Sequence, residues 1–510
     1  MVEGIPLLEI TILIPLLGVL FLAWIPEDDP EATRSATLAL SLITFLASLP
    51  LYFMYDVEAG GYQFARVYDW LGPIGAQFSL GVDGISVLLI VLTTFLVPIA
   101  VLASWKGIDK RVKSFHAALL LMEATMIGVF AARDLLLFFL FFEVQLVPMF
   151  LFIGVWGGED RVRAAVKFFL YTAVGSLLML AGIAYLYVKA GHTFDMTAIS
   201  AAMPGALSTS EQFWVCLAFL IAFGIKVPVF PVHTWLPHAH VQAPTAGSVI
   251  LAAVMLKMGG YGFVRFCLPW FPDGLVVEMG GMFSLATLMT WLGVGGVVYG
   301  ALMAIAQTDL KKLIAYSSVS HLGLVVAALF AGFTAGPGFV EGGHARAITG
   351  SVYQMVGHGL STGALFFLVG CIYDRRHTKK IAELSGLAKP APKLATCFVI
   401  ASLASVALPG TAGFVGEILM LLGMFENNVA AAAVGATGMV LGAVYMLWAV
   451  QRVIFGPTEG ANKEVQDLEP VELWGLVPLL AAIFVLGLVP GPFLSRMEPA
   501  INQLAGLYGG

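Results

Sequence analysis

Charge is what this sequence has least of. Asp, Glu, Lys and Arg make up 11 % of its 510 residues, against 59 % hydrophobic, and its mean hydropathy is +0.92. Soluble domains carry about 25 % charged residues. A chain this long with so few charges has too little polar surface to cover itself in water, which excludes a soluble globular protein. Cysteine is scarce as well. Cys216, Cys267, Cys371 and Cys397 stand apart, with no CxxC pair and no Cys/His cluster, so no iron–sulfur, zinc or haem site is expected. No basic patch large enough for nucleic acid is present, and a net charge of −6 is small for the length. The first apolar run has Glu3 and Glu9 beside it instead of the basic flank of a cleavable signal peptide. A dinucleotide-binding loop is missing too. Gly293, Gly295, Gly296 and Gly300 lie inside an apolar run with no strand–turn–helix context, a pattern that reads as helix packing.

What the chain does contain is apolar runs long enough to span a bilayer, each of about 20 residues. Fourteen are predicted, near 7–25, 35–54, 84–104, 116–131, 135–155, 167–188, 212–232, 247–268, 282–305, 313–331, 347–372, 395–424, 431–450 and 473–494. An extended polar segment from Tyr55 to Asp83 separates the second and third and is compatible with a hairpin. Assigning successive loops to alternate sides places eighteen Lys and Arg on one side and six on the other. The positive-inside rule makes the basic side cytoplasmic, so both termini are expected on the opposite side.

Two spans carry helix breakers: FGIKVPVFPVHTWLP, with Pro228, Pro231 and Pro237, and ASVALPGTAGFVGEILM, with Pro409 and Gly410. Proline removes a backbone donor and clashes with the preceding turn, and in lipid the freed groups need protein or water. Broken spans at corresponding places in two halves point to an inverted-repeat transporter. The breaks fall in the seventh and twelfth spans, five apart, and an odd repeat length gives opposite orientations. The expected organisation is all-α and polytopic. Three N-terminal helices and their loop occupy residues 1–115. A first five-helix repeat covers 116–270, a second covers 271–455, and a last helix lies within 456–510.

The remaining chemistry is a short set of ionisable residues inside apolar spans: Glu123, Glu143, Lys226, Lys257 and Glu417, with His321 and His358. A buried charge costs at least about 2.5–3.5 kcal/mol to insert, so these groups face a polar interior or one another. Glu143 sits near the middle of the fifth span, where it is either a helix–helix tie or a proton site. Lys226 lies beside the first break. Desolvation favours a neutral amine and a nearby carboxylate the charged one, so a Lys–Glu pair is a candidate proton valve. Lys257 lies about ten residues into the eighth span, which disfavours snorkelling over a buried role, and Glu417 follows the second break. Glu123 is a weaker candidate, a support for Glu143 or a packing contact. Histidine titrates near neutrality, so these two suit either a relay or a hydrogen bond to a neighbouring helix, with Ser317, Ser318 and Ser320 available to hold water. His233, His238 and His240 are read as a structured loop at the cytoplasmic surface, not as metal ligands.

Three stretches, KVPVFPVHTWLPHAHVQAPTAGSVILAAVMLKMGGYGFVRF, LKKLIAYSSVSHLG and LPGTAGFVGEILML, resemble the antiporter-like membrane subunits of respiratory complex I. The likeness covers about 100–455. It implies that Glu143 and Lys226 form a pair, that Lys257 connects two half-channels, and that Glu417 opens to the far side. Many relatives carry Lys at this last position, and the M-type chains carry Glu. One departure is His238, where the family motif has an acidic residue. The resemblance implies proton translocation driven by redox chemistry in other subunits, which would hold NAD, FMN, iron–sulfur clusters and quinone, with no cofactor in this chain. It implies other membrane-arm subunits, further antiporter-like chains among them, as partners; the lack of a transit peptide fits a bacterial inner membrane as the setting, as it would an organelle-encoded chain. The alternative reading is a subunit of a multisubunit cation/proton antiporter, and a third is a non-conducting spacer in the membrane arm.

Overall fold

The computed structural model describes residues 5–278, 283–334 and 341–506. Among these, thirteen helices are long and apolar enough to cross a membrane: Leu7–Trp24, Pro30–Phe53, Gly84–Ala103, Val112–Ala131, Leu135–Trp156, Arg161–Lys189, Thr209–Lys226, Thr245–Trp270, Leu285–Ile305, Leu310–Thr334, Gly342–Arg376, Val429–Val453 and Pro470–Leu488. The remaining predicted span, the twelfth, is two shorter helices, Pro392–Ser405 and Ala412–Asn427. Numbered in chain order, the spans are therefore fourteen. A further helix, Gly491–Gly506, follows them. The last span ends earlier than the expected residue 494, because Pro490 and Gly491 separate the two helices.

The spans are layered by burial. The apolar windows of spans 8 and 11 are wholly buried and that of span 10 is 94 % buried, whereas spans 1, 2, 13 and 14 bury about a third or less. The outer helices present leucine, valine and phenylalanine to lipid. The inner three carry Lys257, His321 and His358, so the polar groups lie on the central axis of the bundle, where they do not meet hydrocarbon.

The Tyr55–Asp83 segment contains a two-stranded antiparallel hairpin, β1 (Gln63–Leu71) and β2 (Ala76–Val82). Asp83 ends it and caps span 3 through Ile85 N and Ser86 N. The same carboxylate takes Arg265 Nη2 at 2.5 Å, fastening the hairpin to span 8. Arg265 lies within the helix of span 8, where this ion pair satisfies it.

The glycines that mimicked a nucleotide loop are packing residues. A Cβ on Gly300 would come within 2.7 Å of Ser320 N, and one on Gly293 within 2.6 Å of Ala327 N. Small residues let spans 9 and 10 meet backbone to backbone. Gly300→Val should therefore destabilise the fold by about 1–3 kcal/mol through overpacking, read as a lowered melting temperature; an unchanged value would show that the two spans have slack.

Candidate functional site

Both breaks lie where the prolines put them, and both are repaired by protein atoms. The first half of span 7 stops at Lys226, and the chain resumes as the helix Trp235–Gln242. Val229 N reaches back to Gly224 O at 2.8 Å, and the Trp235 indole nitrogen donates to Ile225 O at 2.9 Å, a carbonyl the break leaves without its helical partner. In span 12 the turn between Ser405 and Ala412 is closed by Leu408 N on Leu403 O at 3.1 Å and by Thr411 Oγ1 on Leu408 O at 2.7 Å. Gly410 there has φ +92°, a conformation that favours glycine. Glu417 follows in the second half-helix and is buried.

A third interruption has no counterpart in the expected breaks. Span 5 is split at Gln145 into Leu135–Val144 and Leu146–Trp156. Pro148 is the cause: it has no N–H for the Val144 carbonyl. Gln145 Nε2 donates to Phe142 O at 3.1 Å and repairs part of the damage. Glu143 thus sits at a hinge. The signal is present in the sequence as EVQLVP.

Lys226 and Glu143 do not form a contact ion pair. The Lys226 ammonium is buried over the Phe142 ring, 4.7 Å from its centroid, and has no hydrogen-bond partner. With no contact between them, any coupling of Glu143 and Lys226 runs through space.

Lys257 is differently placed. Two wider π-type turns, Leu251–Met255 and Phe263–Cys267, flank the helical turns that carry it. Such turns expose backbone carbonyls and often mark functional positions. The Lys257 ammonium donates to Ala252 O in the first of them and lies 2.8 Å from His358 Nδ1. The His358 and His321 ring centroids are 5.8 Å apart. His321 Nδ1 is 2.8 Å from Glu417 Oε1, and its Nε2 is 3.2 Å from the Tyr445 hydroxyl. Gln354 Nε2 also donates to Glu417 Oε1, at 3.1 Å. Spans 8, 11, 10 and 12 therefore place Lys257, His358, His321 and Glu417 in one buried row. The serines are less free than expected: Ser317 and Ser318 bond Ile314 O, and Ser320 bonds Val297 O. Sequence reasoning misses Tyr445 and Gln354, because a lone Tyr or Gln in an apolar helix has no sequence signature.

Glu123 stands apart. It is fully buried on span 4, and neither carboxyl oxygen has a hydrogen-bond partner. The structure does not join it to the row or to Glu143.

The three histidines after the first break are not a surface loop. His233 packs against the rings of Phe230 and Tyr299, and His240 is fully buried, stacked on Phe366 at 4.3 Å. Of the three, His238 alone reaches the exposed side, 3.1 Å from Lys167 Nζ. A short polar stretch between prolines hid this: WLPHAHVQ folds as the second half of the broken span. Its C-terminal carbonyls are taken by two lysines, Lys379 Nζ on Val241 O and Lys311 Nζ on Ala243 O, each at 2.6 Å. This matches a cation to a helix C-terminus. Lys311 is buried by this contact. Beside it opens a polar crevice of about 160 Å³ lined by Ser104, Gln242, Thr245, Lys311, Asp374 and Lys379. Lys311 and Lys257 are the charged groups near enough to act on His240. Among the described residues no cluster of three or more His, Cys, Asp or Glu could hold a metal.

Comparison with known proteins bears on the chain as a whole. Residues 132–442 match the family model for the NADH:quinone oxidoreductase/Mrp antiporter transmembrane region, and residues 10–129 match that for the amino terminus of NADH-ubiquinone oxidoreductase chain 4. The chain is 44 % identical to NADH-quinone oxidoreductase subunit M of Rhodobacter capsulatus, covering 98 % of this chain and 97 % of that one. It is 40 % identical to NADH-ubiquinone oxidoreductase chain 4 of Arabidopsis thaliana over 97 % and 96 % of the two chains. Among solved structures, a chain of respiratory complex I from Thermus thermophilus with bound NADH superposes with a TM-score of 0.87 at 32 % identity, over 99 % of this chain and all of that one. A chain of an archaeal membrane-bound sulfane sulfur reductase shares the fold, with a TM-score of 0.84 at 24 % identity over 96 % and 77 %.

Proposed function

The chain belongs to the antiporter-like membrane subunits of NADH:quinone oxidoreductase, and from that membership we infer how its polar axis works. It is a multi-pass subunit of the membrane arm of a respiratory complex I, set among other antiporter-like membrane subunits. In the mechanism we propose, protons enter at the polar crevice beside Lys311 and Lys379 and pass His240 to reach Lys257. They then move along His358 and His321 to Glu417, which releases them on the far side. One observation carries this reading: the buried row Lys257–His358–His321–Glu417, with close polar contacts at both ends. The central gap between the two histidines is of a size that one water or a ring rotation bridges. Glu143 sets the energy of the proton on Lys226 through its field, and the hinge at Gln145 lets the separation of the two change.

The two broken spans are the corresponding elements of two inverted repeats, spans 4–8 and 9–13. The setting is a bacterial cytoplasmic membrane with both termini on the non-cytoplasmic side. The redox centres and the quinone site reside in other subunits.

The test uses the whole complex in proteoliposomes, reading acidification per electron transferred. His321→Ala should lower that ratio while the complex still assembles, because the Glu417 carboxylate then has no imidazole partner. His240→Ala should slow proton uptake at the inlet side. A wild-type ratio and rate in both variants would remove the relay. Proton movement that needed only a cation gradient and no electron donor would favour the antiporter reading instead.

A further inference from the structure

Away from the polar axis, spans 2, 3, 11 and 14 and the C-terminal helix leave an open apolar groove of about 600 Å³. Its walls include Leu360, Ala482, Val485 and Phe493. Its deep end is closed by Phe45 and Phe95, whose rings meet at 5.6 Å. From Phe45 to Tyr52 the helix rises only about 10 Å, a third of the roughly 30 Å hydrocarbon core. A transmembrane helix of a neighbouring subunit would need contact over the whole thickness. The groove fits an occupant confined to one leaflet.

The mouth is built differently from the walls. Arg496, on the helix Gly491–Gly506, lies there with its guanidinium 3.9 Å from the centroid of the Tyr52 ring. Nε donates to Tyr52 O at 3.1 Å and Nη1 to Pro492 O at 2.8 Å. Among the described residues no carboxylate forms an ion pair with it. The helix that carries it is held close: a Cβ on Gly84 would overlap the Arg496 carbonyl, so the start of span 3 lies directly against this backbone. A guanidinium fixed by an aromatic face and two carbonyls, at the rim of an apolar slot, is preorganised for an anion with a hydrocarbon tail. Guanidinium suits phosphate in particular because its planar donors match paired oxygens.

We propose that this groove holds one acyl chain of an anionic phospholipid whose phosphate rests on Arg496. The bound lipid seals spans 2, 3, 11 and 14 and ties the C-terminal helix to the bundle. The proposal concerns the outer face of the bundle and is independent of the proton relay.

The test uses the assembled complex in nanodiscs with two photoreactive lipids of identical diazirine-bearing acyl chains, one a phosphatidylglycerol and the other a phosphatidylcholine. Peptide mass spectrometry after illumination should find phosphatidylglycerol on the peptides bearing Phe45–Phe53 and Ala481–Val489, with much weaker labelling by phosphatidylcholine. Arg496→Gln should reduce the phosphatidylglycerol labelling about tenfold, the equivalent of one charge-assisted contact. Ala482→Phe, which fills the groove and leaves Arg496 in place, should reduce it as well. Equal labelling by both lipids, labelling indifferent to both substitutions, or crosslinks at these positions to another subunit would each overturn the proposal. The comparison of the two lipids on the unaltered protein needs no variant to fold.

Discussion

Replacing Lys257 with alanine should reduce proton translocation by the assembled complex on the order of 10²-fold, the range lost when a positioned proton-transfer group is removed. Among the described residues Lys257 is the only amine that touches the row, and its loss breaks two contacts at once, to Ala252 O and to His358 Nδ1. Alanine alone does not separate a relay from a structural cation, because two buried acceptors left without a donor cost about 1–3 kcal/mol each. Lys257→Arg makes the separation. Arginine keeps the positive charge and the donors but does not release a proton at any working pH. A relay therefore fails in both variants, whereas a structural tie survives in the second. Acidification per electron close to wild type in Lys257→Arg would show that the amine does not carry the proton. Assembly, followed on native gels, should be better preserved with arginine than with alanine in either case.

How far the site was legible depended on the kind of signal each residue carries. Charged side chains in apolar runs announce themselves, and so do prolines. Glu143, Lys226, Lys257 and Glu417 were found for the first reason, and the two long breaks for the second. Span number followed from hydropathy, and the twelfth span showed why length alone is a poor guide: each of its two halves is too short to cross, and only together do they make one span. Neutral partners were invisible. Tyr445, Gln354 and Trp235 matter because of what the fold brings against them, His321, Glu417 and the Ile225 carbonyl, and all three contacts join residues the sequence keeps ten or more positions apart. The histidine cluster was misread because a short polar stretch between prolines looks like a loop. It is a half-helix whose carbonyl end is capped from elsewhere by Lys311 and Lys379. The π-type turns around Lys257, in a fully buried span, also have no composition signal.

Glu143→Gln should slow translocation about tenfold, corresponding to about 1.4 kcal/mol in the energy of the proton at Lys226. The geometry makes this a test of charge and not of contact. Lys226 rests on the Phe142 ring with no hydrogen-bond partner, so Glu143 influences it only through the field of its carboxylate. Glutamine keeps the shape and removes the field. Aspartate keeps the field and draws the carboxylate back by one methylene, so Glu143→Asp should retain most of the rate. The ordering would reverse if Glu143 served to tie two helices by hydrogen bonds, because glutamine could then substitute and the shorter side chain could not. The hinge supplies a second arm. Pro148→Ala restores the missing backbone donor to Val144, straightens span 5 and moves Glu143 relative to Lys226. If separation sets the valve, Pro148→Ala should change translocation in the carboxylate background and have no further effect in Glu143→Gln. Additive losses in the double variant would mean that the bend and the charge act separately, and the valve would then lie elsewhere than in this pair.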